Sequence, residues 1–420
     1  MLGVSCWLWD YLRRSGQGGF FLPLNGGIDT SSISVLVYSM CNMVIKAVDR
    51  GDEQALHDIR RVVGESDYVP IEPKELCGRI FVTCFMGSES SSEESKSKAK
   101  KLSGQIGSYH MSVLIDSAVT AVIGIFSTVT GVIPKFRARG GSVRENLALQ
   151  NVQARVRMVI SYLFAQLMLW ARNRAGGLLV LGSTNIDDCL RGYVTKYDSS
   201  SADINPIGSI SKIDLKYFLL HAKSEYNLSS LEGIIGEMEL ENVHQHHRGG
   251  GGEEGDMGMT YEELSQYGKL RMSERCGPHS MFNKLTHSWR SKASPEETAK
   301  KVKLFFRFYA INRHKMTILT PACHVEPYDP DDNRFDHRPF LYNSGWRWQF
   351  RTIDNALRKI DLKHRTLEEE VKKKTHHGKE RKCFDKDCSG KGPGFAPVKG
   401  EGGSSNGDKK AASSAEILSF

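Results

Sequence analysis

The sequence predicts an α/β protein built on a doubly wound parallel sheet, with further helices toward the C-terminus and a disordered tail. Short apolar runs alternate with amphipathic helical segments through the first half of the chain, which is typical of strands covered by helices on both faces. Polar turns follow three of these runs. Ligands bind such sheets beyond the carboxyl ends of the strands, so the three turns form the candidate site.

Four strands and several long helices are expected in the first half of the chain. Apolar runs predict strands at Phe20–Leu24, Ile80–Met86, His110–Ile115 and Leu178–Leu181. Periodic apolar residues predict helices after Asp29, from Ser92 to Ile106 and from Arg144 to Asn173. Helical patterns return from Tyr261 to about Phe350, and beyond Lys363 the chain is charged and then rich in Gly, Ser and Lys, which predicts disorder.

Two apolar stretches resemble membrane spans in composition but are interpreted as parts of the core. Met158–Ala171 is only 14 residues long and lies between two arginines, which predicts a buried helix. Ser112–Ile133 contains Asp116, two glycines and many hydroxyl residues, which predicts a strand followed by a core helix. We therefore expect no membrane association.

Composition indicates an ordinary globular protein and argues against nucleic acid as a partner. The chain has 420 residues, of which 40% are hydrophobic and 25% charged, and a net charge of +8. Between Arg358 and Phe420 there are 15 Lys and Arg against 10 Asp and Glu, a net of +5, so the remainder is only mildly basic. Nine scattered cysteines and an N-terminus without a basic leader predict a reducing, cytoplasmic location.

The first polar turn, Asn25-Gly26-Gly27-Ile28-Asp29-Thr30, is the most informative segment of the chain. Adjacent glycines let backbone amides approach a ligand closely, and the helix that follows contributes unsatisfied N–H groups and partial positive charge. Such a turn suits a pyrophosphate. It is not a Walker A loop, because the Gly-Lys-Ser/Thr ending is missing.

Two further blocks add groups that suit a nucleotide and a metal ion. Asn151 and Arg155 lie one helical turn apart, and arginine offers paired donors to phosphate or carboxylate. Past the fourth strand, the block from Leu181 to Asp188 ends in two carboxylates, which suit Mg²⁺. Lys196 and Lys212 follow and are candidates to screen phosphates.

The first turn resembles the Ser-Gly-Gly-x-Asp-Ser loop of the ATP pyrophosphatases. Together the three blocks resemble the synthetase domain of the eukaryotic glutamine-dependent NAD synthetases, over about Cys6 to Phe350. Further matching stretches are Arg144–Gln150, Asp256–Leu264, Ile311–Thr317 and Asp332–Asp336. The resemblance implies an adenine-nucleotide α-hydrolase-like fold, with a synthetase domain at 1–350 that contains a variable Gly-rich loop near 236–256. Residues 351–420 would form a helical extension and a disordered basic tail.

The resemblance also implies a reaction and its participants. ATP adenylates the nicotinate carboxylate of deamido-NAD, and ammonia then displaces AMP to give NAD. Mg²⁺ is the implied cofactor and ATP the co-substrate. The implied assembly is a homo-oligomer, with a glutaminase or a full-length homologue as a further partner.

Residue roles follow by carrying the family motif onto this sequence. The resemblance assigns ATP binding to Pro23, Leu24, Asn25, Gly26, Gly27, Ile28, Asp29, Thr30, Arg155, Ser183 and Lys212. It assigns deamido-NAD binding to Asn151, Lys196 and Asp203. Asp29 and Asp188 would hold Mg²⁺, and Asn25, Asp29 and Asp188 form the expected catalytic set.

Departures from the family pattern motivate a second hypothesis. Asn25 and Asp188 replace Ser and Glu, and Gly236–Leu240 replaces Pro-Thr-Ala-Glu-Leu. They predict low activity, and the alternative function is a catalytically weak homologue that binds nucleotide or co-assembles with a full-length enzyme. Another ATP pyrophosphatase, such as a GMP synthetase, explains the first turn but not the blocks after it. The family's nitrilase-like amidase domain is not recognisable here, so ammonia rather than glutamine is the expected nitrogen donor.

Overall fold

The computed structural model describes residues 1–236, 258–325 and 342–383, and it confirms the predicted parallel sheet. The strands are β1 (Phe20–Pro23), β2 (Phe81–Gly87), β3 (Tyr109–Leu114) and β4 (Leu179–Val180). Their order is β3-β2-β1-β4, and every pairing is parallel. Strands β2 and β3 therefore lie on one side of β1 and β4 lies on the other, so the strand order reverses at β1. In open α/β sheets the carboxyl edge of that point is where ligands bind.

Helices cover both faces of the sheet. Along the chain they are α1 (Leu2–Ser15), α2 (Ile28–Asp49), α3 (Glu53–Val63), α4 (Pro73–Ile80), α5 (Glu93–Ile106), α6 (Asp116–Thr130), α7 (Val143–Ala171), α8 (Ile186–Arg191) and α9 (Lys212–Glu225). The C-terminal helices are α10 (Tyr261–Gly268), α11 (Pro278–Ser288), α12 (Pro295–Ile311) and α13 (Arg347–Cys383). Single turns of tighter or wider helix lie at Arg137–Arg139, Ser199–Ser201, Lys269–Ser273 and Arg313–Ile318.

Strand alternation divides the sheet residues between two cores. Phe20 and Leu22 of β1 point into a core formed with α1 to α5 and α9. Phe21 lies between them in sequence and points to the other face, where it packs with residues of α7. This period of two places β1 at the centre of the molecule, with all three aromatic or leucine side chains fully buried.

A third core joins the C-terminal helices to the sheet domain. It contains Phe305 and Phe306 of α12, Ile353 of α13, and Ile186 and Leu190 of α8. Because α8 follows β4 at the carboxyl edge of the sheet, this core lies directly against the candidate site. The C-terminal helices therefore contribute to the position of α8.

Two helices predicted to be buried are more exposed than their apolar sequences indicate. In α6 only Val119 is buried, so the prediction of a core helix there is wrong. In α7 one face is buried, whereas Val159 and Trp170 on its other face are 70% and 72% exposed. Apolar content alone does not distinguish a core helix from one that presents an apolar surface to its surroundings.

The predicted long helix from Arg144 to Asn173 is confirmed as α7, and Ser142 and Glu145 close its N-terminus as a capping box. The helical extension continues beyond the expected limit at Lys363, to Cys383. Lys, Glu and Arg make up more than half of this stretch, and all three have high intrinsic helix propensity. The Gly-rich segment 237–257, the stretch 326–341 and the tail 384–420 lie outside the described residues.

Among the described residues, one helix is long and apolar enough to cross a membrane. It is α2, and 72% of its most apolar stretch is buried within the protein.

Candidate active site

The glycine turn begins where β1 leaves the sheet. The Leu24 N–H donates to the Cys84 carbonyl at 2.9 Å, which continues the ladder between β1 and β2 by one more residue. Gly26 then adopts a φ of +83°, and a Cβ at this position would lie 2.6 Å from the Ser95 carbonyl oxygen. Both the backbone angle and the close approach of α5 therefore require glycine.

The Asn25 side chain closes the turn on itself. Its Oδ1 accepts hydrogen bonds from the Gly27 N–H at 2.9 Å and from the Thr30 hydroxyl at 2.6 Å. The Gly27 amide is one of the donors that such a turn offers to an anion. Here that amide already donates to the Asn25 side chain. Asn25 and Thr30 are also the two positions where the turn departs from serine, so the two departures contact each other.

Asp29 and Lys212, which the motif comparison assigns to ATP, contact each other. Asp29 lies in the first turn of α2, and Lys212 is the first residue of α9. The Lys212 Nζ donates to Asp29 Oδ2 at 2.5 Å and lies 5.4 Å from the centre of the Tyr261 ring. Both side chains are largely buried, with 9% of Lys212 and 18% of Asp29 exposed, so their attraction is only weakly screened.

Asn185 connects the two carboxylates that were predicted to hold a metal ion. Its Nδ2 donates to Asp29 Oδ1 at 3.0 Å and to Asp188 Oδ2 at 2.8 Å. Its Oδ1 accepts the Asp188 N–H at 3.0 Å, which makes Asn185 the N-cap of α8. Sequence reasoning assigned Asn185 no role. An asparagine three residues before an acidic residue at a helix start is an N-cap pattern, and that signal was available.

The donor set around Asn185 fits Mg²⁺. Magnesium sites in proteins commonly use one or two carboxylates and leave the remaining positions to water and substrate phosphates. Asp29 and Asp188 supply two carboxylates within reach of one amide, beside the glycine turn. In the part of the chain that the structure describes, no three His, Cys, Asp or Glu side chains gather as a metal cluster, so a closed structural zinc site is not formed there.

Asp187 anchors α8 to α9. It is fully buried, and one of its oxygens accepts the Lys212 backbone N–H at 2.9 Å. Burial raises the pKa of Asp187 to about 7, although the Lys212 hydrogen bond and charge oppose this rise. The residue therefore fixes where Lys212 begins its helix.

A cavity of about 430 Å³ adjoins the glycine turn, over the carboxyl ends of β1 and β2. The predicted residues that line it are Pro23, Leu24, Asn25, Thr30 and Ser183. Apolar walls come from Phe85, Met86 and Met158, and the Arg157 Nε donates to the Met86 carbonyl at 3.0 Å. Arg157 was not assigned to this site, although it lies two residues after Arg155 on α7.

A second cavity of about 720 Å³ lies beside the first. Asn151, Arg155 and Lys196 line it; the Arg155 Nε donates to the Lys196 carbonyl at 2.9 Å, and the Thr195 hydroxyl donates to Asn151 Oδ1 at 2.7 Å. The structure thus places Arg155 with two of the three residues predicted to contact deamido-NAD, and not in the cavity beside the glycine turn. Arg157 and Asp198 line both cavities, so the two spaces adjoin.

Asp203 and Ile28 lie apart from these two cavities. The Asp203 carboxylate accepts the Val180 N–H at 2.7 Å and the Tyr162 hydroxyl at 3.1 Å, which holds the edge strand β4. Ile28 is buried in the core beneath the turn, with 6% of its surface exposed. The structure gives these two residues packing and backbone contacts, whereas the motif comparison assigns them to substrates.

The chain is similar to known proteins along most of its length. A family model described as NAD synthase matches residues 3–316. The chain is 59% identical over 362 residues to the glutamine-dependent NAD(+) synthetase of Drosophila melanogaster, which covers 86% of this chain and 46% of that protein. Identity to the proteins of the same name from Homo sapiens and Saccharomyces cerevisiae is 56% over 363 residues and 52% over 366 residues, with 86% of this chain and 51% of each covered.

The chain therefore spans about half the length of these curated relatives. Among solved structures, it is similar to a glutamine-dependent NAD(+) synthetase from Cytophaga hutchinsonii with a TM-score of 0.67 and 22% identity. That alignment covers 84% of this chain and 55% of the other, and at this identity it supports the fold.

Proposed function

Because the chain belongs to the NAD synthase family, we propose that it is an ATP-dependent ligase that converts deamido-NAD and ammonia to NAD, AMP and pyrophosphate. The observation that carries the proposal is the Asn185 bridge. One buried amide holds Asp29 and Asp188 together beside a glycine turn, and Lys212 lies on the same carboxylate. This arrangement suits a reaction in which negative charge builds up on a departing pyrophosphate.

The two adjoining cavities support a division of substrates. In the proposed complex, ATP occupies the cavity beside the glycine turn, with its adenosine against Phe85 and Met158 and its phosphates toward Gly26 and Gly27. Deamido-NAD occupies the larger cavity, where Arg155 and Lys196 supply positive charge for its pyrophosphate. The nicotinate carboxylate then reaches the α-phosphate at the junction, near Arg157.

The proposed reaction has two steps. First, a carboxylate oxygen of deamido-NAD bonds to the α-phosphorus, and the bond from that phosphorus to the pyrophosphate oxygen breaks. Second, the ammonia nitrogen attacks the carbonyl carbon, loses one proton, and displaces AMP, which leaves with the carboxylate oxygen. Lys212 and the turn amides would hold the departing pyrophosphate, and bound Mg²⁺ would supply further charge neutralisation there. Positioning and electrostatics, rather than covalent catalysis, carry both steps.

A homo-oligomer is part of the proposal, and the exposed sides of α6 and α7 are its proposed interface. On α6, Val122, Ile125, Phe126 and Val129 are spaced three or four residues apart and are exposed. On α7, Val159, Leu163, Leu167 and Trp170 form a second exposed apolar stripe. The two helices contact each other, and contiguous apolar surface of this kind commonly marks a protein interface. A second copy of the chain would cover it symmetrically.

The nitrogen source and the location of the protein are also proposals. We infer that these 420 residues take ammonia directly, from a glutaminase partner or from solution, because the family model that matches residues 3–316 is described as NAD synthase. No disulfide bond joins any two of the following cysteines: Cys6, Cys41, Cys77, Cys84, Cys189, Cys276 and Cys323. This supports a reducing compartment, and we propose the cytoplasm.

The test is direct synthesis by the purified chain. The protein is incubated with ATP, Mg²⁺, deamido-NAD and ammonium chloride, and NAD and AMP are quantified by chromatography. We expect equal amounts of NAD and AMP, and no NAD when ammonium is replaced by glutamine freed of ammonia. Nucleotide binding without turnover would contradict the ligase proposal, and synthesis supported by glutamine would contradict the proposed nitrogen source.

A further inference from the structure

Helix α8 contains Asp188 but is too short to be stable in isolation. It spans only six residues, Ile186–Arg191, and isolated helices of this length are not stable in water. The last four carbonyls of any helix also lack partners within the helix. The position of Asp188 therefore depends on contacts that other parts of the chain make with the end of α8.

The segment Asn312–Lys315, which follows α12, supplies those contacts. The Asn312 Nδ2 donates to the Arg191 carbonyl at 3.2 Å, and the Arg313 Nη2 donates to the Cys189 carbonyl at 2.8 Å. The Lys315 Nζ donates to the carbonyls of Gly192 and Val194, at 3.0 and 2.9 Å. Three side chains from one short segment thus satisfy four carbonyls in and after the last turn of α8.

Two features make this contact specific rather than incidental. Gly192 has a φ of +70°, and a Cβ at this position would lie 2.2 Å from the Asn312 Cβ. The two backbones therefore approach so closely that only glycine fits. The second feature is charge, because Arg313 and Lys315 place cations at a helix C-terminus, where the helix dipole favours them.

The burial of the Arg313 guanidinium is energetically unfavourable, which is unusual for a contact that serves only to stabilise the fold. Arg313 is 1% exposed, and burying a charge in a protein interior is unfavourable unless it is paired. Its guanidinium lies 4.1 Å from the centre of the Tyr309 ring. Burial alone would raise the pKa of Tyr309, but the neighbouring charges of Arg313 and Arg271 outweigh burial and lower it. The cation is thus stabilised by an aromatic residue of α12, which belongs to the C-terminal core.

We infer that Asn312–Lys315 is a positioning segment, in which Arg313 fixes the last turn of α8 so that Asp188 stays opposite Asp29. This inference rests on the proposed ligase function for its catalytic consequence. The C-terminal helices then contribute to the geometry of the site, because α12 and its aromatic core determine where Arg313 lies. Arg313 contacts no substrate in this arrangement and acts through α8.

The test compares variants of Arg313 with a matched variant of Arg271 in the full chain. Arg271 is half-buried and also lies beside the Tyr309 ring, 5.3 Å from its centre, but it donates to the Cys276 carbonyl and the Tyr342 hydroxyl. Arg313→Met should lower kcat by about tenfold or more and raise the Mg²⁺ concentration needed for half-maximal rate, because Asp188 is displaced. Arg313→Lys should change kcat and the Mg²⁺ concentration for half-maximal rate less than Arg313→Met does. Arg271→Met should lower the thermal unfolding midpoint and leave the Mg²⁺ dependence unchanged.

Hydrogen exchange of residues 186–194 gives a readout that does not depend on turnover. Arg313→Lys and the milder Asn312→Ala should speed exchange in this segment relative to the amides of β1, and Arg271→Met should not. An unchanged exchange rate in both variants would overturn the inference, as would an equal change in Mg²⁺ dependence for Arg271→Met and Arg313→Met. If the wild-type chain makes no NAD, the ligase proposal fails, and the exchange comparison still decides whether the segment holds α8.

Discussion

The glycine turn and helix α8 form two halves of one site, and they are held in place in different ways. In the turn, Asn25 bonds to Gly27 and Thr30, so six consecutive residues define the geometry. Helix α8 depends on Asp29, more than 150 positions away in sequence, and on Arg313, more than 120 positions away. Substitutions of Asn25 and Thr30 should therefore act locally, whereas α8 should respond to changes in distant parts of the chain.

The largest effect should come from the two carboxylates where the halves meet. Asp29→Ala and Asp188→Ala should each lower ATP-dependent turnover by on the order of a thousandfold, because charge neutralisation at the departing pyrophosphate is lost. Steady-state rates of NAD formation, at several Mg²⁺ concentrations, measure the loss. Circular dichroism should show an unchanged fold.

Asp187→Asn is the matched control for Asp188. It lies on the same turn of α8, and asparagine keeps an oxygen that can accept the Lys212 N–H. We expect the control to retain most of its turnover. Magnesium dependence that persists undiminished in Asp29→Ala or Asp188→Ala would remove that residue from the site.

A smaller effect, of opposite sign, is expected in the turn. The Gly27 N–H donates to Asn25 Oδ1 and is therefore not available to donate to a pyrophosphate oxygen. A pyrophosphate displaced by about 1 Å for this reason can react about a hundredfold more slowly. Asn25→Ser should therefore raise turnover by about tenfold or more and tighten binding of inorganic pyrophosphate, measured by calorimetry.

Thr30→Ser tests whether the two departures in the turn are coupled. Asn25 and Thr30 share a 2.6 Å hydrogen bond, so the effects of Asn25→Ser and Thr30→Ser should not add in the double variant. An active wild-type protein whose turnover Asn25→Ser leaves unchanged would show that the turn tolerates asparagine.

The smallest effect concerns Lys315 and the pH dependence of stability. Burial lowers the pKa of Lys315 to about 8, and the charge of Arg191 acts in the same direction. Between pH 8 and the ordinary lysine pKa of about 10.4 the unfolded chain binds more protons, so this residue makes stability rise with pH across that window. The free energy of unfolding, measured with urea, should rise more between pH 7.5 and pH 9.5 in the wild type than in Lys315→Met. Equal rises would mean that Lys315 is not buried as described.

Sequence patterns predicted the parts of the molecule that local chemistry determines. The strand runs and the glycine turn depend on residues close together in the chain, and the sheet and turn were found where expected. The family motif assigned both Asp29 and Lys212 to ATP, but nothing in the sequence predicted that the two side chains contact each other. Nothing local to Asn185 shows that its amide reaches Asp29, and nothing in Arg155 shows which cavity it will line.

Surface exposure was the other property that sequence did not reveal. The apolar residues of α6 satisfy the pattern of a core helix, yet the structure leaves Val129 81% exposed. A stripe that faces a partner has the same spacing as one that faces a core. Tertiary placement, and not composition, distinguishes the two.

The most direct test of the central claim follows one oxygen atom through the reaction. Deamido-NAD labelled with ¹⁸O at both oxygens of its nicotinate carboxylate is supplied with ATP, Mg²⁺ and ammonium, and the products are analysed by mass spectrometry. If the carboxylate attacks the α-phosphorus and ammonia then displaces AMP, each AMP formed should carry one ¹⁸O and the pyrophosphate none. AMP without the label, or label in pyrophosphate, would contradict the account.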